Sequence, residues 1–378
     1  MTPTDLDRCR SLTGIKWKHY DPDVLPAWVA DMDLPPAPVA VEAVRSLVDR
    51  GDFGYTWAAA SQLPEAFASW QERHHGWRPP TDELRLFCDV VQAVEVSVWL
   101  HTQPGDGVVV FTPVYPPFLG TVKAMDRRIV ECPLDPDGWT LDPKLLASVI
   151  DDTTKVILTC NPHNPTGHVF TRGELEAIAR VAEERDLLVV SDEIWSDLVH
   201  PGFTHIPFPT LGEHAARRSV TVSAASKAFN LAGLRCSVAH LGHAGVAAAI
   251  KALPSHALGA VSSPGAEASL AAWTRGDAWL EETRALLTAN RDHVAARLAA
   301  ELPGVGFALP DATYLAWLDF RQTGLGDKPA AALLERGRVG LSDGNDFGSQ
   351  GAGFARLNFA TTRPILDQIL DRIVGTLT

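Results

Sequence analysis

The chain has 378 residues, of which 46% are apolar and 21% are charged, and its formal net charge at pH 7 is −13. This composition is ordinary for a globular protein with a sizeable buried core and two or three structural units. Because acidic and basic residues alternate in short mixed runs, the chain offers no basic face to a nucleic acid or an anionic membrane, and we expect neither partner.

The N-terminal sequence, the lengths of the apolar stretches and the cysteines indicate the cellular location of the protein. The N-terminus carries acidic residues and lacks the apolar region of a signal peptide, and no later stretch approaches about eighteen uninterrupted apolar residues. The five cysteines are odd in number, widely separated and form no CxxC pair, which argues against a disulfide framework or a zinc site. We therefore predict a cytoplasmic protein that holds no metal.

Three segments follow one another along the chain. Residues 1–45 are rich in proline and tryptophan and show little periodicity, which predicts an N-terminal arm that joins a smaller domain. Apolar runs alternate with amphipathic stretches in residues 46–278, which predicts a large α/β domain. In residues 279–378 a long helical pattern leads into TYLAWLDF, a glycine-rich segment and a closing helix, which predicts the smaller domain.

The clearest local unit begins at residues 155–160 (KVILTC), an aliphatic run typical of a buried parallel strand. The loop NPHNPTG follows it, and Thr171 with Glu174 then forms a capping box ahead of a helical pattern. LLVVSDEI supplies the next strand. This order predicts a βαβ unit whose loop lies at the carboxyl end of a strand, where open α/β sheets bind ligands.

Lys227 lies in the stretch TVSAASKAFNLAGLR, among small residues that follow a strand-like apolar run. An isolated lysine is usually a solvated surface charge. Here, however, the nearest acidic residues in sequence are Glu213 and Glu267. A lysine near the end of a sheet with so little charge compensation would have a lowered pKa, which suits a Schiff-base nucleophile.

Two further features accompany this lysine. Asp192 ends a strand that should be buried on both faces, where a carboxylate needs a cation or strong hydrogen-bond donors. Such aspartates also occur in nucleotide, metal and phosphate sites, although a protonated pyridine nitrogen would satisfy this one. The loop NPHNPTG has the composition of a proline-stiffened turn. Its second asparagine, Asn164, lies 28 residues before Asp192 and 63 before Lys227.

The order and spacing of these motifs resemble the fold-type I pyridoxal 5′-phosphate (PLP) enzymes of the class I/II aminotransferase group. That group shares NPxNPTG, then Asp-Glu after a strand, then SxxxK with an arginine eight residues later. Further segments extend the resemblance over nearly all the chain, among them IKW, DVLPAWVADMDLP, FGYTW, TPVYPPF, ATYLAWLD and GFARLNFA. Together they resemble the MalY/PatB branch, whose members act mainly as cystathionine or cysteine-conjugate β-lyases.

The resemblance implies a PLP-dependent transferase-like α/β fold. Its large PLP-binding domain, residues 46–278, would hold a mainly parallel seven-stranded sheet between helices, and residues 279–378 would form an α+β domain. Lys227 would hold the cofactor as a Schiff base, Asp192 would pair with the pyridinium nitrogen, Asn164 would bond the phenolic oxygen, and Tyr115 would stack on the ring. At a helix N-terminus the phosphate would be held by Ser223, Ser226, Arg235 and the backbone at Val91 and Gln92.

The resemblance also implies a substrate site and a dimer. Arg356 would clamp the α-carboxylate of a small amino-acid substrate with two hydrogen bonds, a task for which lysine is a poor substitute. Arm residues around Trp28 and Ala30 would line the substrate pocket. Tyr55 matches a tyrosine that reaches the phosphate of the neighbouring subunit, which implies a homodimer with active sites at the subunit interface.

Two positions depart from the family pattern. Trp195 stands where the MalY/PatB branch has a histidine, and an indole donates one hydrogen bond but cannot accept or exchange a proton. Asp89 replaces the glycine that commonly opens the phosphate-binding turn. The implied function is a C–S β-lyase acting on L-cystathionine or cysteine S-conjugates. Transamination, β- or γ-replacement, cyclisation and a regulatory binding role stay open, because the same residues serve them.

Overall fold

The computed structural model describes residues 5–378. Within them the helices are α1 (Leu6–Ser11), α2 (Ile15–Lys18), α3 (Pro38–Asp49), α4 (Ala58–His75), α5 (Val90–His101), α6 (Pro116–Ala124), α7 (Pro143–Val149), α8 (Arg172–Glu184), α9 (Glu213–Arg217), α10 (Ala244–Ala252), α11 (Ser263–Arg275), α12 (Asp277–Glu301), α13 (Pro329–Gly337) and α14 (Arg363–Leu377). The strands are β1 (Leu25–Pro26), β2 (Leu84–Phe87), β3 (Gly107–Thr112), β4 (Arg128–Pro133), β5 (Thr154–Cys160), β6 (Leu188–Asp192), β7 (Ser219–Ser223), β8 (Ser237–Leu241), β9 (Gly306–Phe307), β10 (Leu315–Asp319), β11 (Val339–Gly340), β12 (Ser342–Asp343) and β13 (Phe354–Asn358).

A seven-stranded sheet forms the centre of the molecule, in the order β2-β8-β7-β6-β5-β3-β4. Strands β3 to β7 run parallel, whereas β8 pairs antiparallel with both β7 and β2. Along β3, Val108 and Val110 enter one hydrophobic core while Val109 and Phe111 enter another. Alternate side chains therefore bury both faces, as expected of a parallel sheet covered by helices on each side. The predicted mainly parallel seven-stranded sheet is confirmed.

The register of the central strands places the predicted site. Cys160 at the end of β5 lies opposite Asp192 at the end of β6, and Asp192 lies opposite Val222 of β7. The loops that leave these three strands therefore start at one edge of the sheet. The capping box ahead of α8 is present, with the Thr171 hydroxyl and the Glu174 carboxylate each accepting from the other residue's backbone N–H. The predicted βαβ unit is confirmed.

A second, four-stranded antiparallel sheet, in the order β12-β13-β10-β9, occupies the C-terminal third. The arm joins this region, because β1 pairs parallel with β11. Helix α3 begins at Pro38 and crosses the boundary expected at residue 45, and it packs on α11 of the large unit. Across residues 5–378 no helix is both long and apolar enough to span a membrane.

Candidate active site

A cavity of about 590 Å³ opens at the carboxyl edge of β5, β6 and β7. It is built from the loops after these strands, the N-terminus of α5 and one residue of the arm. Ten of the predicted site residues line it: Ala30, Val91, Gln92, Tyr115, Asn164, Asp192, Trp195, Ser226, Lys227 and Arg235. The tertiary fold therefore brings together residues that lie up to about 200 positions apart in sequence.

Lys227 lies in the middle of this cavity, four residues beyond the end of β7. Its Nζ donates to the carbonyl of Ala30 at 2.8 Å and lies 5.7 Å from the centre of the Trp195 ring. Burial lowers the pKa of the Lys227 amine, and the nearby Arg356 lowers it further, while Asp31 and Asp192 oppose both effects. The amine is thus closer to its neutral, nucleophilic form than a surface lysine.

Asp192 faces the same cavity from the end of β6 and is 4% exposed. One carboxylate oxygen accepts from the backbone N–H of Ile194 at 3.0 Å. Burial, with a smaller contribution from Glu193, raises the pKa of Asp192 to about 7. Among residues 5–378 no cationic side chain forms an ion pair with this carboxylate. A buried acid in this state would be stabilised by a cation brought in by a ligand.

The two asparagines of NPHNPTG have different tasks. Asn161 accepts from the backbone N–H of Phe170 at 3.1 Å and so closes the loop on itself. Asn164 points into the cavity instead and accepts from Nη1 of Arg356 at 2.9 Å. The loop ends at Gly167, whose φ is +74° and where a Cβ would lie 2.3 Å from Pro310. Only glycine allows this close approach to the C-terminal third.

Arg356 projects from β13 toward the cavity and is 5% exposed. Its Nη2 donates to the carbonyl of Trp28 at 2.8 Å and to the hydroxyl of Ser342 at 3.1 Å. The Nε is buried and has no hydrogen-bond partner among residues 5–378. Burial lowers the pKa of the guanidinium to about 10. A buried guanidinium with an unused donor is suited to binding a carboxylate that a substrate supplies.

The expected phosphate region begins at the N-terminus of α5. There Asp89 is the N-cap, and its Oδ1 accepts from the backbone N–H of Gln92 at 2.7 Å. Its Oδ2 lies 2.5 Å from Nη2 of Arg235. The backbone N–H of Gln92 and the guanidinium of Arg235 were both expected to bind the phosphate. In this structure the Asp89 carboxylate already engages both of them. Ser226 lines the cavity, whereas the Ser223 hydroxyl donates to the carbonyl of Glu193 at 3.4 Å, behind the cavity wall.

Three other predicted residues, Trp28, Arg356 and Tyr55, do not line this cavity. Trp28 lines a neighbouring cavity together with Arg356. Tyr55 is fully exposed on the segment between α3 and α4.

Three polar residues that hold the site together were not predicted. The Tyr314 hydroxyl donates to the carbonyl of Ala30 at 2.8 Å, the carbonyl that Lys227 also contacts. The amide of Asn230 donates to the carbonyls of Met32 and Leu34, and the amide of Asn358 donates to two further arm carbonyls, those of Val29 and Asp31. The sequence feature that could have identified these three residues is their position inside the motifs ATYLAWLD, SKAFNLAGL and GFARLNFA.

A family model described as aminotransferase class I and II matches residues 30–373. The chain belongs to this family. It is 37% identical over 360 residues to cystathionine beta-lyase PatB of Bacillus subtilis (strain 168), covering 94% of this chain and 93% of the relative. It is 31% identical over 363 residues to protein MalY of Escherichia coli (strain K12), covering 94% and 92%. The resemblance to the MalY/PatB branch is therefore confirmed.

Solved structures agree with this placement. Cystalysin from Treponema denticola, whose crystal structure contains a pyridoxal 5′-phosphate cofactor, superimposes with a TM-score of 0.93 at 30% identity, covering 97% of this chain and 96% of that one. The cavity fits such a cofactor: among residues 5–378 Asp192 has no ion-pair partner, burial lowers the pKa of the Lys227 amine, and Tyr115 offers an aromatic ring. Arg235 fits as well, provided that it exchanges Asp89 for a phosphate.

Proposed function

We propose that this protein is a PLP-dependent C–S β-lyase that acts on L-cystathionine or other cysteine S-conjugates. The overall reaction consumes the conjugate and one water and yields a thiol, pyruvate and ammonium. The observation that carries the proposal is the convergence of Lys227, Asp192 and Asn164 on one cavity beside the unused donor of Arg356. Relatives matched over nearly the whole chain carry the name cystathionine beta-lyase, which supports elimination at the β-carbon.

When bound, the cofactor supplies the electron sink that stabilises negative charge at the substrate Cα. The protein decides where that charge forms and what leaves. Arg356 binds the substrate carboxylate through Nε and so fixes Cα relative to Lys227. The Lys227 amine, with its lowered pKa, takes the α-proton as general base.

Asp192 serves as the partner of a protonated pyridine nitrogen. A neighbouring cation favours the ionised carboxylate, which reverses the effect of burial on its pKa. The C–S bond then breaks with its electron pair on sulfur, the thiolate takes a proton, and the released 2-aminoacrylate hydrolyses to pyruvate and ammonium. Trp195 cannot exchange protons, so proton transfer at Cα rests on Lys227.

Trp195 has a packing role in this proposal. Its ring meets that of Tyr314 edge-on at 4.8 Å and closes the cavity on the side of the Lys227 amine. The pair excludes water from the base, which keeps the amine desolvated and its pKa low.

We also infer a cytoplasmic homodimer with active sites at the subunit interface. Phe53, Tyr55 and Trp57 are 69%, fully and 82% exposed, so the segment between α3 and α4 presents three aromatic rings to the outside. Exposed aromatic side chains close together in sequence are typical of a protein interface. All five cysteines are free, which supports a reducing compartment. Sedimentation equilibrium of the wild type and a Trp57→Ser variant would test the dimer, since a monomeric wild type would contradict it.

The decisive test of the reaction mixes purified holoenzyme with L-cystathionine or an S-alkyl cysteine and follows pyruvate and thiol. We expect both products in equal amounts without any added 2-oxo acid. Formation of pyridoxamine phosphate, with turnover only when a 2-oxo acid is supplied, would show an aminotransferase instead. Lys227→Ala is the matched negative control, because it removes the base and keeps the rest of the cavity.

A further inference from the structure

A second cavity of about 470 Å³ lies beside the first. We call it the side pocket and define it by His19, Tyr20, Trp28, Asp343, Asp346 and Phe347. It shares Tyr115 and Pro117 with the first cavity, and Arg356 also lines it. A substrate whose carboxylate lies on Arg356 therefore has the side pocket within reach of the rest of its structure.

The walls of the side pocket are aromatic and well supported. The rings of His19 and Trp28 lie 4.6 Å apart, and Tyr20 packs on His19 at 4.6 Å and on Trp28 at 6.0 Å. The Tyr20 ring rests directly on Gly340, where a Cβ would lie 2.3 Å from it. Across the pocket Phe347 is buried. Such walls favour a flat aromatic group, which can stack on or meet these rings edge-on.

The side pocket is lined by two carboxylates, those of Asp343 and Asp346, as well as by the guanidinium of Arg356. Asp343 is partly buried and accepts from Asn345, whereas Asp346 is exposed. Among residues 5–378, neither carboxylate forms an ion pair with a lysine, arginine or histidine. The guanidinium of Arg356 lies 5.0 Å from the Phe347 ring and is engaged with Asn164 and Trp28. Two uncompensated carboxylates favour a positively charged ligand and repel an anionic one.

A separate observation shows that this region is built to receive a ligand. Arg356 is 5% exposed, and its buried Nε has no hydrogen-bond partner in the part of the chain that the structure describes. A buried charged donor left unused is costly unless a bound molecule supplies the acceptor. A substrate carboxylate bound at Nε would meet that need, and its β-carbon substituent would then lie within reach of the side pocket.

We infer that the side pocket binds the S-substituent of the substrate, and that it selects an aromatic substituent that carries a positive charge. This inference rests on the proposed C–S lyase function and names its preferred substrate class. Stacking on Tyr20 and Trp28 selects the ring, and Asp343 with Asp346 selects the charge.

The test compares three cysteine S-conjugates that share a benzyl group: S-(4-aminomethylbenzyl), S-benzyl and S-(4-carboxybenzyl) cysteine. Pyruvate release by the holoenzyme gives kcat/KM for each. We expect the cationic conjugate to exceed the neutral one about fivefold and the anionic one about twentyfold, because each carboxylate contributes a partly screened charge interaction. S-methyl cysteine should be slower than S-benzyl cysteine.

Binding is measured separately by calorimetry, with analogues in which a methylene replaces the sulfur, since these carry no leaving group. The double variant Asp343→Asn/Asp346→Asn should abolish the preference of Kd for the cationic analogue, while the neutral analogue changes less than twofold. Asn at 343 keeps the acceptor for Asn345. Asp142→Asn, at the N-cap of α7, is the control and should leave all three Kd values unchanged.

The outcomes distinguish the two proposals. Pyruvate from all three conjugates at equal efficiency, or a preference for the carboxybenzyl conjugate, would overturn the side-pocket inference and leave the lyase intact. Absence of pyruvate from every conjugate would overturn the lyase, and the calorimetric order of the three analogues would still decide the charge preference of the pocket. Retention of the full preference in the double variant would also overturn the inference.

Discussion

Replacing Asp89 with asparagine should tighten the binding of PLP. The carboxylate lies 2.5 Å from Arg235 and caps α5 through Gln92 at 2.7 Å, so it occupies both groups that a phosphate would use. Two like charges about 5 Å apart repel by about 0.8 kcal/mol in water and by about 3 kcal/mol at an effective dielectric constant near 20. The Asp89 and Arg235 side chains are 26% and 63% exposed, so solvent screening brings the repulsion energy close to the lower of these two values.

We therefore expect Asp89→Asn to improve the free energy of PLP binding by about 1 kcal/mol, which corresponds to a roughly fivefold lower Kd. Asparagine remains a good N-cap, so α5 should keep its stability. Kd is measured by titrating the apoenzyme with PLP and following tryptophan fluorescence, at low and high salt, and the gain should shrink at high salt. The matched control is Asp142→Asn, another N-cap exchange far from the cavity. An unchanged or higher Kd in Asp89→Asn would refute the competition argument.

Three further outcomes can be checked directly. Lys227→Ala should lose the visible absorbance of bound PLP and lower kcat for pyruvate release about 10³-fold, whereas an unchanged spectrum would exclude Lys227 as the attachment point. Arg356→Lys should raise KM at least about tenfold with a smaller change in kcat, since a point charge replaces a planar donor set. Both His168 ring nitrogens face carboxylates, of Glu174 and Asp311. Although burial opposes it, these bonds raise the pKa of His168 to about 9. The bonds of protonated His168 stabilise the fold fully below pH 6.5, and this stabilisation is lost as pH rises through 9. The free energy of unfolding, measured with urea, should therefore fall by about 3 kcal/mol over this range relative to His168→Gln.

Local sequence patterns were sufficient for the βαβ unit in the middle of the central sheet. The strand at residues 155–160, the capping box at Thr171 and the strand ending at Asp192 were all predicted, and β5, α8 and β6 confirm them. These elements are encoded by near neighbours, namely apolar runs bounded by turn residues and a cap three residues from its partner.

The arm shows what local patterns missed. Its lack of periodicity suggested an irregular start, yet residues 5–45 contain α1, α2, β1 and the beginning of α3. Its conformation depends on distant partners: Asn230 and Asn358 bind its backbone carbonyls, and Lys16 forms a buried ion pair with Asp33 at 2.9 Å. Propensity within a short window carries no information about such contacts.

The sequence by itself determined the family, the seven-stranded sheet and the identity of the polar residues at the strand ends, because order and spacing along the chain suffice for these. Only the tertiary structure decided how those residues are used. It showed Asp89 engaging Arg235, Ser223 behind the cavity wall, and a side pocket that combines arm aromatics with Asp343 and Asp346. The physical reason is that charge pairing and cavity shape depend on distances between residues hundreds of positions apart, which packing alone sets.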